Sequence, residues 1–554
     1  LLVAIITVLS FSLSAKDIKL TETTNQFVIT SKSLSEFTFV SHLSEISTMR
    51  VKKDANEFIK LIVGGYGENA KKGNAELPVL EELINVPFGS TVAIKILDKE
   101  ETIISLSDYG IDNLIFPSQP SLSKSENSED VPFYFNDEYY NYDGFYTNDL
   151  VTTELLGKMR GQQLARLSVA PFSYNPTTNE LKIVTKLEVK IIFKNIDSEG
   201  HKTNKQKYYS AEFNNLFKEC INYIPSQEKD VITTYPVKYV IISDPAFEST
   251  LQPLVDWKTK KGFIVVEGYT NDPNVGNTTT SIHTYLKNMY DNPIDGIAPT
   301  YLLIVGDEAQ VPSFDNGQHL SDMYYCEFDG GGDFYPEMYY GRFSATIPEE
   351  VQVQVEKTIT HEQYTFNDPS FLDEVVLVAG VDASMAPTYG NGQINYGTDN
   401  YFNVAHGLTV YNYLYGSGTP ITSDMSQASA AIIADVSAGV GFANYTAHCG
   451  SSGWSDPSFS TSDISGLQNF DEYGVMVGNC CQSNKFDVPV CFGEGLLRAD
   501  NKGAVGYIGG SNNTYWNEDF WWAVGNGSIS ANPTYAGTGL AVFDCLMHEN
   551  GEQQ

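Results

Sequence analysis

Residues Gly441–Cys481, GFANYTAHCGSSGWSDPSFSTSDISGLQNFDEYGVMVGNCC, decide the fold of this chain. The segment contains two apolar runs typical of β-strands, Val440–Ala447 and Tyr473–Gly478. The first run leads to His448, and the second leads to Cys480 and Cys481. The roughly thirty residues between His448 and Cys480 suffice for a crossover connection. In an open sheet of parallel strands, functional side chains lie at the carboxyl ends of the strands, so the segment predicts a Cys/His pair at that edge.

The rest of the chain predicts an α/β protein preceded by a β-rich region. Strand-type runs VKYVIISD, FIVVEGYT and TYLLIVGD alternate with helical patterns, and a second series begins with EVVLVAGVD. This alternation predicts two parallel-sheet subdomains, at residues 230–345 and 346–554. Residues 16–229 alternate with the period of strands and predict a separate β-rich domain.

Composition limits the classes of function. The formal net charge of −35 over 554 residues disfavours nucleic acid as a partner and suits hard cations. The apolar start, LLVAIITVLSFSLS, predicts a partial secretory signal over residues 1–15, with a buried first strand as the alternative. That run is too short to span a membrane. We therefore expect an exported protein, secreted or at the cell surface, without a membrane span.

The cysteines suggest a nucleophile. Seven cysteines leave at least one thiol free even in an oxidising compartment, and Cys480 and Cys481 are adjacent, a geometry that disfavours a bridge between them. A thiol attacks a carbonyl as the thiolate, so His448 is the candidate base and Asp382, at the end of the AGVD run, can orient it. Backbone N–H groups near Gly450 and Cys481 are candidate oxyanion donors. The alternative for Cys481 is a buried cysteine that acts as a small apolar residue.

Four motifs together resemble one family. NYTAH, WSDPS, GNCCQSNKFDVPVCFGE and YIGGSNNTYWNEDFWW are similar to those of the gingipain-type cysteine peptidases, over roughly Val237–Glu549. The resemblance implies a caspase-like catalytic domain made as a zymogen, with residues 16–229 as an inhibitory prodomain. It assigns the nucleophile to Cys481, the histidine to His448 and the orienting acid to Asp382. It also implies protein and peptide substrates and no organic cofactor.

The same resemblance implies specificity for lysine. Lysine-cutting members place an Asp after a Tyr-Trp-x-Glu run, which here is Asp519, and their pocket-lining positions match Thr446 and Asn479. Trp516 can pack on the methylene stem of a lysine. Arginine or mixed specificity is one alternative, and an inactive adhesin-like binding protein is another.

Two features concern metal binding and a departure from the family. Family calcium ligands correspond to Asp333, the carbonyl of Tyr335 and Glu337, with Asp329 as an ambiguous first ligand because of an extra glycine. A structural calcium ion is therefore expected, and a solvated acidic turn is the alternative. The family normally has Gly directly after the catalytic histidine, whereas Cys449 intervenes here and puts the oxyanion geometry in question.

Two lysines concern activation. Lys229 precedes Asp230 in the polar hinge between the predicted domains, so we expect cleavage there by this enzyme or a similar one. Lys124 lies in a polar, aromatic-rich stretch and is a candidate to occupy the specificity pocket of the zymogen. A solvated linker lysine is the alternative.

Overall fold

The computed structural model describes residues 16–546, except for 54–55, 69, 128–129, 147, 226–236, 331–332 and 419–420. The predicted signal segment, the cleavage site at Lys229 and the predicted boundary between residues 229 and 230 lie outside the described residues. The boundary therefore stays a prediction.

The N-terminal region is built from strands, as the period-two patterns predict, and the structure pairs these strands antiparallel. In β12, Leu181, Ile183 and Val189 are buried, whereas the residues between the buried positions are more exposed. The strands form sheets in the orders β1-β4-β5, β6-β7-β10-β9 and β11-β12-β3-β2, with β8 also paired to β12. Their bounds are β1 Lys16–Lys19, β2 Gln26–Lys32, β3 Glu36–His42, β4 Glu45–Lys53, β5 Asn56–Ile62, β6 Gly67–Glu68, β7 Pro78–Val86, β8 Thr91–Ser105, β9 Val151–Met159, β10 Gln162–Val169, β11 Phe172–Asn175 and β12 Glu180–Lys194. Helices α1 Asp137–Tyr140, α2 Ser198–Lys207 and α3 Ala211–Lys218 complete this region.

The first parallel sheet has the order β14-β13-β15-β18. Val240 and Ile242 of its central strand pack in one apolar cluster with α5, whereas Ile241 packs on the other face with α4 and α6. A strand buried on both faces explains the unbroken apolar run in the sequence. The elements are β13 Lys238–Ser243, α4 Glu248–Lys260, β14 Ile264–Tyr269, α5 Thr279–Asp291, β15 Tyr301–Val305, β16 Phe314–Asp315, β17 Leu320–Ser321, β18 Tyr339–Phe343 and α6 Pro348–Gln363.

The second parallel sheet has the order β20-β19-β21-β25-β26 and carries the predicted site. Val376 and Val378 of β19 pack against α8 on one face, and Val375 and Leu377 pack against α7 and α11 on the other. The elements are β19 Glu374–Ala379, α7 Asn391–Asn400, β20 Thr409–Tyr413, α8 Met425–Ala438, β21 Phe442–Thr446, β22 Cys449–Gly450, β23 Gly453–Trp454, β24 Phe459–Ser460, α9 Thr461–Ile464, β25 Val475–Asn479, α10 Phe492–Arg498, β26 Gly506–Gly509, α11 Trp516–Val524, α12 Tyr535–Thr538 and α13 Val542–Leu546.

Short tight helices connect several of these elements. They are the 3-10 helices Leu106–Tyr109, Pro245–Phe247, Met323–Tyr325, Pro369–Asp373 and Val404–His406, and a π-type turn at Ala386–Gly390. Among the described residues, none of the helices combines the length and apolar character needed to cross a membrane.

The predicted fold class is confirmed: two parallel α/β sheets follow a β-rich region. Strands β21 and β25 are direct neighbours, with Thr446 opposite Asn479 at the end of their register. The carboxyl ends of β19, β21 and β25 therefore deliver Asp382, His448 and Cys481 to one sheet edge.

Candidate active site

The structure brings His448 and Asp382 into direct contact. His448 Nε2 lies 3.0 Å from Asp382 Oδ2. The other carboxylate oxygen, Oδ1, accepts hydrogen bonds from the backbone N–H groups of Ser384 and Met385, each at 2.9 Å. Burial acts to raise the pKa of Asp382, but the hydrogen bonds from His448 and from the two backbone groups outweigh it and hold the pKa well below its usual range. Asp382 is therefore an anion that fixes the imidazole.

Both ring nitrogens of His448 lie against hydrogen-bond acceptors. Nδ1 contacts the backbone carbonyl oxygen of Lys124, and Nε2 contacts the Asp382 carboxylate. Because neither partner atom can donate, this arrangement favours a proton on each nitrogen, which is the imidazolium form of the ring. The Asp382 hydrogen bond raises the pKa of His448 against the opposing effect of burial, and the Lys124 carbonyl adds to the increase.

Cys481 is buried beside Thr514. The Thr514 N–H donates to the Cys481 sulfur at 3.4 Å, and the Cys481 residue is 2% exposed. Burial raises the pKa of Cys481, while the Thr514 backbone and the positive charge of Lys124 oppose that increase. In this state the sulfur is therefore held as a neutral thiol.

Lys124 of the β-rich region fills a pocket in the second subdomain. Its ammonium lies 2.7 Å from Asp519 Oδ2, 2.9 Å from Thr446 Oγ1 and 2.6 Å from the Asn479 carbonyl oxygen. It also lies 4.7 Å from the centre of the Trp516 ring. The Lys124 side chain is fully buried, and burial lowers its pKa although Asp519 opposes the shift. All four residues predicted to line a lysine pocket therefore contact this lysine.

The local sequence explains how the pocket forms. Thr446 and Asn479 are the last residues of the paired strands β21 and β25, so they lie side by side at the sheet edge. Asp519 and Trp516 are in the first turn of α11, which places the carboxylate near the positive end of the helix dipole. Because the Lys124 side chain is fully buried, it is not the solvated linker lysine of the alternative interpretation.

The chain around Lys124 lies along the pocket as an added strand. Lys124 N–H donates to the Thr514 carbonyl at 2.9 Å, and Trp516 N–H donates to the Leu122 carbonyl at 3.0 Å. Ser123 pairs antiparallel with Tyr515 between them. This mode of binding uses main-chain hydrogen bonds for affinity and one side-chain pocket for specificity. Thr514 and Tyr515 are not among the predicted site residues, although the quoted YIGGSNNTYWNEDFWW motif contains both.

Cys449 forms a disulfide with Cys480, with a Cα–Cα distance of 5.2 Å. The sequence marks Cys449 as a departure from the family but does not identify its partner. The odd cysteine count shows that at least one thiol is free, and it does not identify which cysteines pair. Gly450 follows in β22, and a Cβ placed on it would meet open space. The oxyanion roles of Gly450 and Cys481 stay predictions.

The acidic turn lies against the β-rich region. Asp333 Oδ2 accepts from the Lys158 N–H at 2.8 Å, and Asp329 lies 3.6 Å from the Lys158 ammonium. Glu337 is buried, with Oε2 accepting from Phe328 N–H and Oε1 lacking a hydrogen-bond donor. Burial and the nearby Asp329 raise the pKa of Glu337 to about 9. Within the described part of the chain, no three His, Cys, Asp or Glu side chains converge on one point as metal ligands would.

Arg160 is a second buried contact of the β-rich region, and sequence analysis missed it. Arg160 follows β9 at the turn into β10 and is 2% exposed. Its guanidinium donates to the carbonyls of Pro299 and Glu337 at 2.5 and 2.9 Å, and to that of Tyr208 at 2.8 Å. The Tyr290 ring centre lies 5.2 Å away. One arginine thus joins the β-rich region to the first parallel sheet.

Fold and site together define a class: an α/β cysteine-peptidase scaffold with a β-rich domain seated in its cleft. The sequence matches agree. Residues 232–542 match the model of peptidase family C25, and residues 25–217 match the C25 propeptide model. The chain therefore belongs to peptidase family C25, which confirms the gingipain-type resemblance.

Individual relatives are similar along most of this chain. Lys-gingipain W83 of Porphyromonas gingivalis is 34% identical over 547 residues, which is 98% of this chain. Gingipain R2 of the same species (strain ATCC BAA-308 / W83) is 27% identical over 484 residues, covering 81% of this chain and 62% of that protein. The chain spans only 31% of the length of the Lys-gingipain. A solved structure described as "Structure of Protease" is 37% identical with a TM-score of 0.53, covering 57% of this chain and 68% of that chain.

Proposed function

We propose that the mature chain is a cysteine endopeptidase that cleaves after lysine, and that the structure is its latent proform. The observation that carries this proposal is Lys124: its ammonium lies 2.7 Å from Asp519, and its carbonyl oxygen contacts His448 Nδ1. A buried carboxylate at a pocket floor favours a cation, because leaving it unpaired is costly. The relative named Lys-gingipain also covers more of this chain, at higher identity, than the relative named gingipain R2.

The proposed mechanism follows from the groups at the sheet edge. When Lys124 leaves, His448 Nδ1 is free to take the proton of Cys481, and the thiolate attacks the carbonyl carbon of the bound lysine residue. The peptide N–H of Cys481 and that of Gly450 receive the oxyanion, as sequence analysis predicts. The imidazolium, stabilised by Asp382, then protonates the leaving amine as the C–N bond breaks. Water hydrolyses the resulting thioester with His448 as base, which restores the thiol.

Substrates are proposed to bind as Leu122–Lys124 does. An extended peptide would add antiparallel to residues 514–516 and place its lysine against Asp519. The β-rich domain is accordingly the inhibitor, which occupies the substrate strand position until cleavage, for which Lys229 is the proposed site. Secretion or surface location, through the apolar start of the chain, belongs to the same proposal.

A structural calcium ion at the acidic turn is also proposed. The support is the buried Glu337 oxygen without a donor, beside Asp329. Carboxylate oxygens are the ligands that calcium prefers, and Asp333 and the Tyr335 carbonyl are the further candidates. The ion would supply charge compensation to the turn and take no part in the chemistry.

The test uses peptide reporters that differ only in Lys or Arg before the scissile bond. The activated full chain is compared with its Cys481→Ala variant, with calcium supplied. Lysine cleavage that is absent from Cys481→Ala supports the proposal. Arginine cleavage would overturn the role of Asp519, and no cleavage of either reporter would favour the binding-protein alternative.

A further inference from the structure

We propose that the Cys449–Cys480 disulfide positions the catalytic pair, so that full activity requires this bond to be oxidised while Cys481 is reduced. The inference rests on the proposed function, because it assigns the chemistry to Cys481 and His448. It concerns a bond at a position where the resembled family normally has glycine.

The position of the bond is the first argument. Cys449 directly follows His448, and Cys480 directly precedes Cys481. The paired register of β21 and β25 ends at Thr446 and Asn479, before either catalytic residue. The disulfide therefore links the segments that follow β21 and β25, just beyond the point where sheet pairing stops. Each of its cysteines is adjacent in sequence to a catalytic residue.

The surroundings of the bond are the second argument. Cys480 is fully buried, and Cys449 packs against the same apolar cluster and pairs with Trp454 across β22 and β23. Tyr445 stacks on Trp454, with ring centres 4.8 Å apart, and its hydroxyl donates to the His448 carbonyl at 2.9 Å. The backbone of the catalytic histidine is thus tied to the core by Tyr445 on one side and by the disulfide on the other.

Cleaving the bond removes one of these ties. Reorientation of a catalytic group by about 1 Å can cost roughly 100-fold in rate, even when substrate binding is unchanged. The pocket residues Thr446 and Asn479 are the last paired residues of the sheet, and we expect that pairing to keep them in position when the bond is cleaved. Loss of the bond should therefore lower kcat and leave KM nearly unchanged.

The two redox requirements can be separated chemically. A dithiol reductant attacks one disulfide sulfur as its thiolate, forms a mixed disulfide, and closes on itself to release two protein thiols and the oxidised, cyclic reductant. In the activated chain the Leu122–Lys124 segment no longer covers Cys481, whereas Cys480 stays in the apolar core. A mild monothiol should therefore reduce an oxidised Cys481 before it reduces the Cys449–Cys480 bond. Activity should therefore rise with a mild monothiol and fall with a strong dithiol.

The experiment compares the activated full chain with the Cys449→Ser/Cys480→Ser double variant. Cys545→Ser, which removes a thiol from α13, is the matched control. We expect kcat for a lysine reporter to fall at least tenfold in the double variant, with KM within twofold and the Lys/Arg ratio unchanged. Strong dithiol should lower wild-type kcat by the same factor and have no further effect on the double variant.

The outcomes separate this inference from the proposed function. Equal kcat in wild type and double variant, or wild-type activity that persists after mass spectrometry shows the bond reduced, would overturn the positioning role. If the double variant does not fold, the reductant titration of folded wild type decides, since activity must follow the oxidised fraction. A wild type with the bond intact that neither cleaves reporters nor alkylates at Cys481 would instead refute the proposed function.

Discussion

Replacing Lys124 by alanine should convert the latent proform into a leaky one. The ammonium is fully buried, is paired with Asp519 at 2.7 Å, and donates to Thr446 and to the Asn479 carbonyl at 2.9 and 2.6 Å. Removing one member of a buried ion pair costs about 3–5 kcal/mol, because the other charge is left unpaired. The two further hydrogen bonds are part of the same loss rather than additions to it.

That energy converts into a change in latency. At about 1.4 kcal/mol per factor of ten, the open fraction of the active site should rise roughly 150- to 5,000-fold. We would measure the rate at which an alkylating probe labels Cys481 in the uncleaved full chain. A Lys229→Ala background prevents cleavage at the proposed junction from contributing.

Lys99→Ala is the matched control. Lys99 is also in the β-rich domain, but its ammonium pairs with Glu101 at 2.8 Å on the surface and its side chain is 42% exposed. Such exposed pairs contribute about 0–1 kcal/mol, so labelling should stay near the wild-type rate. A Lys124→Ala proform as slow to label as the control would refute the pocket-filling argument, even if the peptidase itself is active.

Further predictions concern the pocket, the histidine, the second anchor and the acidic turn. Asp519→Asn should lower kcat/KM for lysine reporters about 100-fold or more, since the substrate ammonium loses its buried partner; an unchanged value would remove this residue from the pocket. Asp382→Asn should lower the pKa of His448, which must be neutral to act as the base, so the acid limb of the kcat–pH profile should move to lower pH. An unmoved acid limb would contradict the pairing. Arg160→Ala should speed labelling of the active-site thiol in the proform, because it removes hydrogen bonds that hold the β-rich region to the first parallel sheet. Arg160→Lys should rescue only partly, because lysine lacks the planar guanidinium that reaches several carbonyls. Labelling of Arg160→Ala at the wild-type rate would contradict this anchor. With a chelator present, the free energy of unfolding should decrease as pH rises from about 5 toward 9. The pKa of Glu337 is raised in the folded state, so over this range the folded state binds a proton that the unfolded state has released. Denaturant titrations at several pH values measure this dependence, and calcium or Glu337→Gln should abolish it.

The sheet-edge part of the site could be predicted because it depends on short-range pattern. His448 and Cys481 each follow an apolar run, and this local pattern alone places them just beyond the ends of strands. The residues of the proposed lysine pocket were predicted from the motif resemblance. In the structure, all four of them surround Lys124: Thr446, Asn479, Trp516 and Asp519.

The contacts that sequence analysis missed are long-range. Arg160 and the carbonyl of Pro299 are 139 residues apart, and a backbone carbonyl carries no side-chain signature. The pairing of Cys449 with Cys480 needed the register of β21 and β25, which no cysteine spacing reveals. Glu337 was named as a ligand, but its burial and raised pKa follow from neighbours on several elements.

Latency in this chain is best explained by where the Lys124 carbonyl lies rather than by weak binding. The Lys124 side chain occupies the pocket proposed for a substrate lysine, so in that proposal weak binding is not what prevents cleavage. Its carbonyl oxygen, however, accepts from His448 Nδ1, the nitrogen that must receive the proton of Cys481. While that bond holds, the protonated imidazole and the neutral thiol are favoured, so base and nucleophile are both withheld. The prodomain can therefore bind tightly at the active site and remain uncut at Lys124.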